Sequence, residues 1–374
     1  MECVDIADWP DKSLMGLPIP DGRRGDIGIF LNKTDNDTDC KFWYDPEFEA
    51  GSSCLKSRWP YAGRNSHAHV TVLGEVKLTD PPFGYSPTDD FLHLTDGGAK
   101  TRGQMCDYAG EAMFRQHRLF FFMFVVYRTY GRFIRFDSVG AVVTESIDLK
   151  TEPDQFFELF WRVAQLKDVK LGIDPTAKLV RTLDNYERYE ADLQAALAQF
   201  PSSRTQSSIM KAFEGDLWPL YRLEVPDKED ATKTHQFLVR NPSTDIVSLT
   251  GRATKGFIAF HVKEKKFCFL KDSWRPDSSR IHSELDVYKK LESRHITGIA
   301  TVHCGGDLRC RNADGSLIPQ TTVTQSLPGA TEYLRRIHTR IVLNEVGIPL
   351  AQYIHSRELC RTIAVAFFGE CLDL

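Results

Sequence analysis

The chain has 374 residues, 42% hydrophobic and 26% charged, with a formal net charge of −4. At roughly 150 residues per domain, that length predicts two domains, each able to bury its own core. The near-balanced charge excludes a global pull toward nucleic acid or anionic membrane, so any such binding must come from a local patch.

The opening Met1-Glu2-Cys3-Val4-Asp5 has neither a basic nor an apolar segment, and no secretory signal is expected. One apolar strand, Ile27–Leu31, is followed by a polar stretch at 32–66 that reads as a long surface loop. A strand is predicted at His69–Lys77 and a helix over 103–115. The most apolar run, Leu119–Tyr127, is far shorter than the ~20 residues that cross a bilayer. It reads as a buried strand joined through Thr129-Tyr130-Gly131 to a second strand, Arg132–Phe136. Helices are predicted over Asp154–Leu166 and Pro175–Phe200. In the latter, Leu179, Leu183, Tyr186, Leu193 and Leu197 fall near helical spacing and Pro201 closes the run.

Val225–His235 is highly charged and is taken as the boundary between domains at 1–224 and 225–374. Short strands are predicted beyond it at Phe237–Val239, Ile246–Leu249, Phe257–Val262 and Phe267–Leu270. A helix at Ser279–Leu291, strands at Gly298–Val302 and Arg340–Leu343, and a helix from near Pro349 complete an α/β (α+β) chain. Nine scattered cysteines read as reduced thiols in an intracellular protein, cytoplasmic or nuclear. His303, Cys304 and Cys310 cluster in sequence, but their spacing fits no common zinc signature, and no metal is expected there.

Gly251-Arg252-Ala253-Thr254-Lys255-Gly256-Phe257-Ile258 matches the kinase pattern G-x-G-x-x-G-x-V with alanine at the second glycine. Small residues are needed where backbone N–H groups must approach phosphates. Thirteen residues past Ile258 stands Lys271 at the end of a strand, and thirteen further Glu284 lies in a predicted helix. That is the order in which a kinase places its phosphate-binding lysine and the carboxylate that holds it. Phe269-Leu270-Lys271-Asp272-Ser273-Trp274-Arg275 and Asn344-Glu345-Val346-Gly347-Ile348-Pro349-Leu350 resemble the fungal-type protein kinase domain. So do Gln116-His117-Arg118, the stretch Arg135 to Thr144, and Phe160-Trp161-Arg162 upstream, which extends the resemblance over about residues 23 to 366.

The resemblance implies a kinase N-lobe and the start of a C-lobe, with ATP as ligand and Mg²⁺ as its companion. It implies that Lys271 binds phosphate, Glu284 orients it, and the loop Gly251–Gly256, with Ala253 and Ile258, covers the nucleotide. Backbone around Glu345 and Val346 would contact adenine, with Leu343 or a neighbour as gatekeeper. Past Arg361-Thr362-Ile363-Ala364 the family continues to an H-R-D-type catalytic loop and a D-F-G-type metal motif. Neither occurs in these residues. The expectation is a pseudokinase or truncated homologue, binding ATP weakly and inactive in phosphoryl transfer, its protein substrate or partner open.

The first half holds a second constellation. Asp26 opens one strand, Glu75-Val76-Lys77 ends the next, and Gln104 and Tyr108 follow four apart on a helix. The order resembles the PD-(D/E)XK nuclease-like fold. There an aspartate and the glutamate of E-x-K hold Mg²⁺, and the lysine, on the same strand face, steadies the attacking water. The alternative function is therefore a metal-dependent nuclease or nucleic-acid binder. Arg115, Arg118, Arg128, Arg132 and Arg135 read as the solvated edge of a packed sheet, or else as a nucleic-acid groove.

Overall fold

The computed structural model describes residues 2–5, 26–30, 67, 70–85, 88–92, 94–215, 218–243, 248–312, 314–328, 330 and 333–368. The loop expected at 32–66 lies outside them. Two compact units emerge. The first is Met1–Pro175 with Ile246–Ala253 and Thr322–Tyr333, and the second is Thr176–Asp245 with Thr254–Thr321 and Leu334–Leu374. Among the described residues, no helix is long and apolar enough to cross a membrane.

In the first unit, strands β1 (Glu2–Asp5), β2 (Ile27–Phe30) and β3 (Val72–Lys77) run antiparallel. Helix α1 (Asp96–Arg115) then crosses over to β4 (Phe120–Tyr127), which lies parallel to β3. A tight turn returns the chain as β5 (Tyr130–Asp137), followed by β6 (Ala141–Val143), β7 (Ile147–Asp148) and helix α2 (Pro153–Gln165). The sheet order is β1-β2-β3-β4-β5-β6, with β7 also pairing β5. The apolar run is β4 because both of its faces are covered. Phe121, Met123 and Val125 join the cluster under α1, while Phe122, Phe124 and Val126 join the one under α2. Under α2, the rings of Phe124, Phe133, Phe156 and Phe160 meet mostly edge to face, with centroids 4.7–6.2 Å apart. Burying each such side chain contributes roughly 2 kcal/mol. Thr95 sets the start of α1 earlier than expected, its hydroxyl accepting the Gly98 N–H at 3.1 Å.

Gln116-His117-Arg118 is a structural knot. Gln116 donates to the His67 and Val70 carbonyls at 2.7 Å, and Arg118 donates to Gln116 Oε1 at 2.8 Å and the Leu171 carbonyl at 2.6 Å. Asp137 is another. Its carboxylate accepts N–H bonds from Val139, Val323 and Thr324 at 3.0–3.1 Å and an ion pair from Arg135 at 3.0 Å. Burial pushes this carboxyl up, but those donors outweigh it and hold the group below its ordinary value.

The second unit is built on β8 (Ala177–Leu179), helices α3 (Tyr186–Gln199) and α4 (Gln206–Phe213), and β9 (Tyr221–Pro226). Strands β10 (Thr234–Val239), β11 (Lys255–His261) and β12 (Lys266–Pro276) follow, then helix α5 (Glu284–Ser293). After α5 come β13 (Val302–Asp307), the small hairpin β14 (Arg309–Arg311) and β15 (Leu317–Pro319), β16 (Arg336–Leu343) and helix α6 (Ser356–Phe368). The main sheet is antiparallel in the order β13-β16-β12-β11-β10-β9-β8. Leu223, Val225, Phe237, Val239, Phe257, Ala259, Cys268, Leu270 and Val342 fill one face. Leu238, Ile258 and Phe260 on the other meet Leu193 and Leu197 of α3 and Ile209 and Phe213 of α4. The sheet curls until β13 reaches β9, and Arg340 Nη1 donates across to the Glu224 carbonyl at 3.0 Å.

The fold class is α/β (α+β), as expected, but three elements differ. Pro175–Phe200 is not one helix. Ala177–Leu179 pair with Tyr221–Leu223 of β9, a short 3-10 turn follows, and only 186–199 is α-helical. Ladder bonds to a distant strand override the local helical spacing. Leu249 and Thr250 form a bend rather than the end of a strand, Ile246 and Val247 lying outside the described residues. The strand expected at Gly298–Val302 begins at Val302 and runs through Gly305. A Cβ at Gly305 would meet the Arg340 carbonyl at 2.9 Å, so the glycine is there for close strand approach. The charged stretch at 225–235 is the β9–β10 connection, where Asp227 accepts the Glu229 and Asp230 N–H groups.

Candidate functional site

Along β12, even-numbered residues face one side and odd-numbered residues the other. Cys268 and Leu270 enter the apolar cluster, so Lys271 emerges on the opposite face. Its Nζ lies 2.7 Å from Glu284 Oε2, both side chains partly exposed. Glu284 is the first residue of α5. Ser283 caps that helix by accepting the Asp286 N–H at 3.1 Å, and the helix N-terminus favours the carboxylate's charge. The structure thus brings the predicted lysine and glutamate into one ion pair.

Gly256 and Ile258 lie on β11, whereas Gly251 and Ala253 belong to the first unit. Gly256 pairs directly with Lys271 and Ile258 with Phe269, Ile258 itself being buried. Gly251 has φ +90°, and Ala253 sits at φ +41°. A left-handed alanine costs about 1–2 kcal/mol, so the position keeps a glycine-like conformation without the glycine. Leu343, at the end of β16, pairs with Phe269 on one side and Val302 on the other. Glu345 and Val346 follow in irregular chain. The Glu345 carboxylate accepts the Thr301 N–H and O–H at 2.8 and 2.7 Å, and Val346 packs against the α3–α4 cluster. Burial, Glu284 and Glu345 together push the Tyr288 hydroxyl above its ordinary pKa, placing it near both carboxylates.

The neighbours of Lys271 have a different task. Asp272 is buried, accepting from His338 Nε2 at 2.7 Å and Arg340 Nε at 2.8 Å. Burial would raise its carboxyl, but the His338 and Arg340 charges hold it well below the usual range. Arg340 continues to Thr176 Oγ1 at 2.8 Å, His338 Nδ1 meets Gln320 Oε1 at 2.7 Å, and Trp274 stacks on His338 with centroids 4.7 Å apart. Sequence reading missed this network because the partners of Asp272 lie 66 and 68 residues away.

In the first unit, Asp26 and the E-x-K strand come together. Asp26 Oδ2 accepts the Val76 N–H at 2.6 Å, and Lys77 Nζ lies 2.5 Å from Glu75 Oε1. Burial, offset by the Lys77 bond and helped by Asp26, pushes the Glu75 carboxyl up to about 7. Glu75 Oε2 has no hydrogen-bond partner among the described residues. Gln104 is half-buried on α1, whereas Tyr108 is packed in the core beneath it. The arginine set divides, with Arg128 exposed and Arg135 half-buried, so a solvated edge describes only part of it. Arg115, Arg118 and Arg132 are buried, and Arg132 donates to the Gly84 and Thr144 carbonyls. Cys304 is buried too, with burial raising its thiol far above the ordinary value, and Cys310 lies apart on β14.

A family described as "Fungal protein kinase" matches residues 93–320, more than half of the chain. No match was found among curated proteins or among solved structures.

Proposed function

The chain belongs to the fungal protein kinase family, and from that premise we propose that its second unit binds ATP in the kinase manner. The observation that carries this reading is the Lys271–Glu284 ion pair at 2.7 Å, held on a strand and a capped helix. Lys271 Nζ would take the α- and β-phosphate oxygens, with Glu284 fixing its direction. Backbone N–H groups of the loop residues that belong to this unit, Thr254 to Gly256, would close over the phosphates, and the chain after Leu343, at Glu345 and Val346, would meet the adenine edge. No H-R-D or D-F-G motif stands in the 374 residues. We therefore assign neither a catalytic base nor Mg²⁺ ligands to this site and propose nucleotide binding without phosphoryl transfer by the chain as given.

The test is thermal unfolding of the full chain with ATP. At a tenfold excess over Kd, binding stabilises by about 1.4 kcal/mol. Wild type should shift and Lys271→Ala should not. An unshifted wild type at millimolar ATP reduces the relation to one of fold.

A second reading belongs to the first unit, that of a metal-dependent nuclease or nucleic-acid binder. What favours it is a buried Glu75 beside Asp26, two carboxylates a divalent ion would hold charged together, with Lys77 adjacent. Mg²⁺-dependent nicking of supercoiled DNA, lost in Glu75→Ala, supports it, whereas intact DNA at high enzyme dismisses it.

A further inference from the structure

On the curled sheet of the second unit, four side chains from three separate stretches of sequence converge. His235 lies on β10, His261 ends β11, Glu264 lies in the β11–β12 turn, and His303 is on β13. Each offers one donor atom, and the four atoms lie within 4.8 Å of one another. His235 Nδ1 is 3.2 Å from His261 Nε2, Glu264 Oε1 is 3.5 Å from His303 Nε2, and it is 3.8 Å from His261 Nε2. A tetrahedral zinc site with bonds of about 2.0–2.1 Å has ligand atoms about 3.4 Å apart, so the cluster stands near that spacing.

The hydrogen bonds sort the four into roles. The Lys263 and Glu264 N–H groups donate to His261 Nδ1 at 3.2 and 3.0 Å. His261 therefore carries its hydrogen on Nε2 and donates it to His235 Nδ1. That fixes the His235 hydrogen on Nε2, which donates to Asp227 Oδ2 at 3.0 Å. A carboxylate behind an imidazole is the arrangement that orients a metal-binding histidine. Glu264 Oε2 is engaged by Lys266 at 2.8 Å, which leaves Oε1 turned toward the histidines. His303 Nε2 is buried with no hydrogen-bond partner among the described residues. Neutral imidazoles are the ligating form, and burial foremost holds both His261, at about 4, and His303 below the ordinary histidine value.

We propose that this cluster binds a divalent transition-metal ion of the zinc class through His235 Nδ1, His303 Nε2 and Glu264 Oε1. The metal takes the His235 lone pair now engaged by His261 Nε2–H. Imidazole with one carboxylate suits such an ion better than Mg²⁺ or Ca²⁺, which prefer oxygen ligands. The ion would tie the β11–β12 turn to β10 and β13, two strands that are not neighbours in the sheet order among the described residues.

The test is titration of the chelator-stripped full chain with zinc chloride, read by calorimetry and by native mass. Wild type should bind one ion at this site. His303→Gln and Glu264→Gln should lose about a hundredfold or more in affinity, and Asp227→Asn about tenfold. Their melting in chelator should match wild type, which separates lost binding from lost folding. His261→Asn keeps an acceptor for the two amides and removes the Nε2 hydrogen, so it should bind zinc at least as tightly as wild type. Zinc held equally by His303→Gln and Glu264→Gln belongs to exposed thiols such as Cys106 or Cys360 and overturns the proposal. Loss in His261→Asn overturns the three-ligand assignment, and no zinc uptake by wild type overturns the site itself.

Discussion

Lys271 and Asp272 are adjacent on β12 yet belong to different physics. Lys271 faces outward to a single, partly exposed carboxylate, Glu284. Asp272 faces inward to His338 and Arg340, all three buried, with further bonds reaching Gln320, Thr176 and Glu224. An exposed pair contributes about 0–1 kcal/mol, because water already solvates both charges. Removing one partner of a buried pair costs about 3–5 kcal/mol, because the other charge is left unsolvated. One short signature therefore combines a partly exposed, singly paired side chain with one buried in a network.

The largest effect should come from Asp272→Ala, a loss of about 3–5 kcal/mol in urea unfolding, since Arg340 and His338 lose their shared acceptor. A loss under about 1 kcal/mol would erase the contrast. The pH dependence sharpens it. The folded carboxyl of Asp272 is depressed, so its contribution is complete above the unfolded value of about 3.9 and fades as pH falls toward the folded one. Denaturation between about pH 6 and pH 3 should show that falling limb in wild type and a flatter one in Asp272→Asn. Next in size is Trp274→Leu, expected to cost about 1–3 kcal/mol through the lost stack on His338. Lys271→Ala should change stability by less than about 1 kcal/mol while removing the ATP-dependent shift. Ala253→Gly should be smallest, a gain of at most about 1 kcal/mol. Relief of the left-handed alanine is partly offset by the entropy of glycine in the unfolded chain.

What was legible in the sequence was whatever local order encodes. The glycine-rich turn, a lysine ending a strand and a glutamate opening a helix each leave a signature within a few residues, and their succession predicted a pair that the fold brings to 2.7 Å. The apolar β4 was equally plain, since a strand covered on both faces has no polar alternation to blur it. Illegible was everything made by chain return. The donors to Asp272, the strand partner that turns Ala177–Leu179 from helix to ladder, and the convergence of His235, His261 and His303 all depend on which strands become neighbours. Cys304 and Cys310 drew notice beside His303 because they are close in sequence. On a strand, adjacent residues point to opposite faces, and the side chains that meet His303 come from β10, the end of β11 and the β11–β12 turn.

The amides that cap Asp137 come from Val323 and Thr324, 186 and 187 residues downstream. A ribosome adding about 5–20 residues per second needs roughly ten to forty seconds to make that interval. For that time the Asp137 carboxylate has only the Val139 amide and Arg135 at hand, and the core that takes in Leu249 also waits for a later segment. The order of synthesis thus leaves a waiting period in which this edge of the sheet is open to chaperones, and it closes only when a late segment returns to an early one.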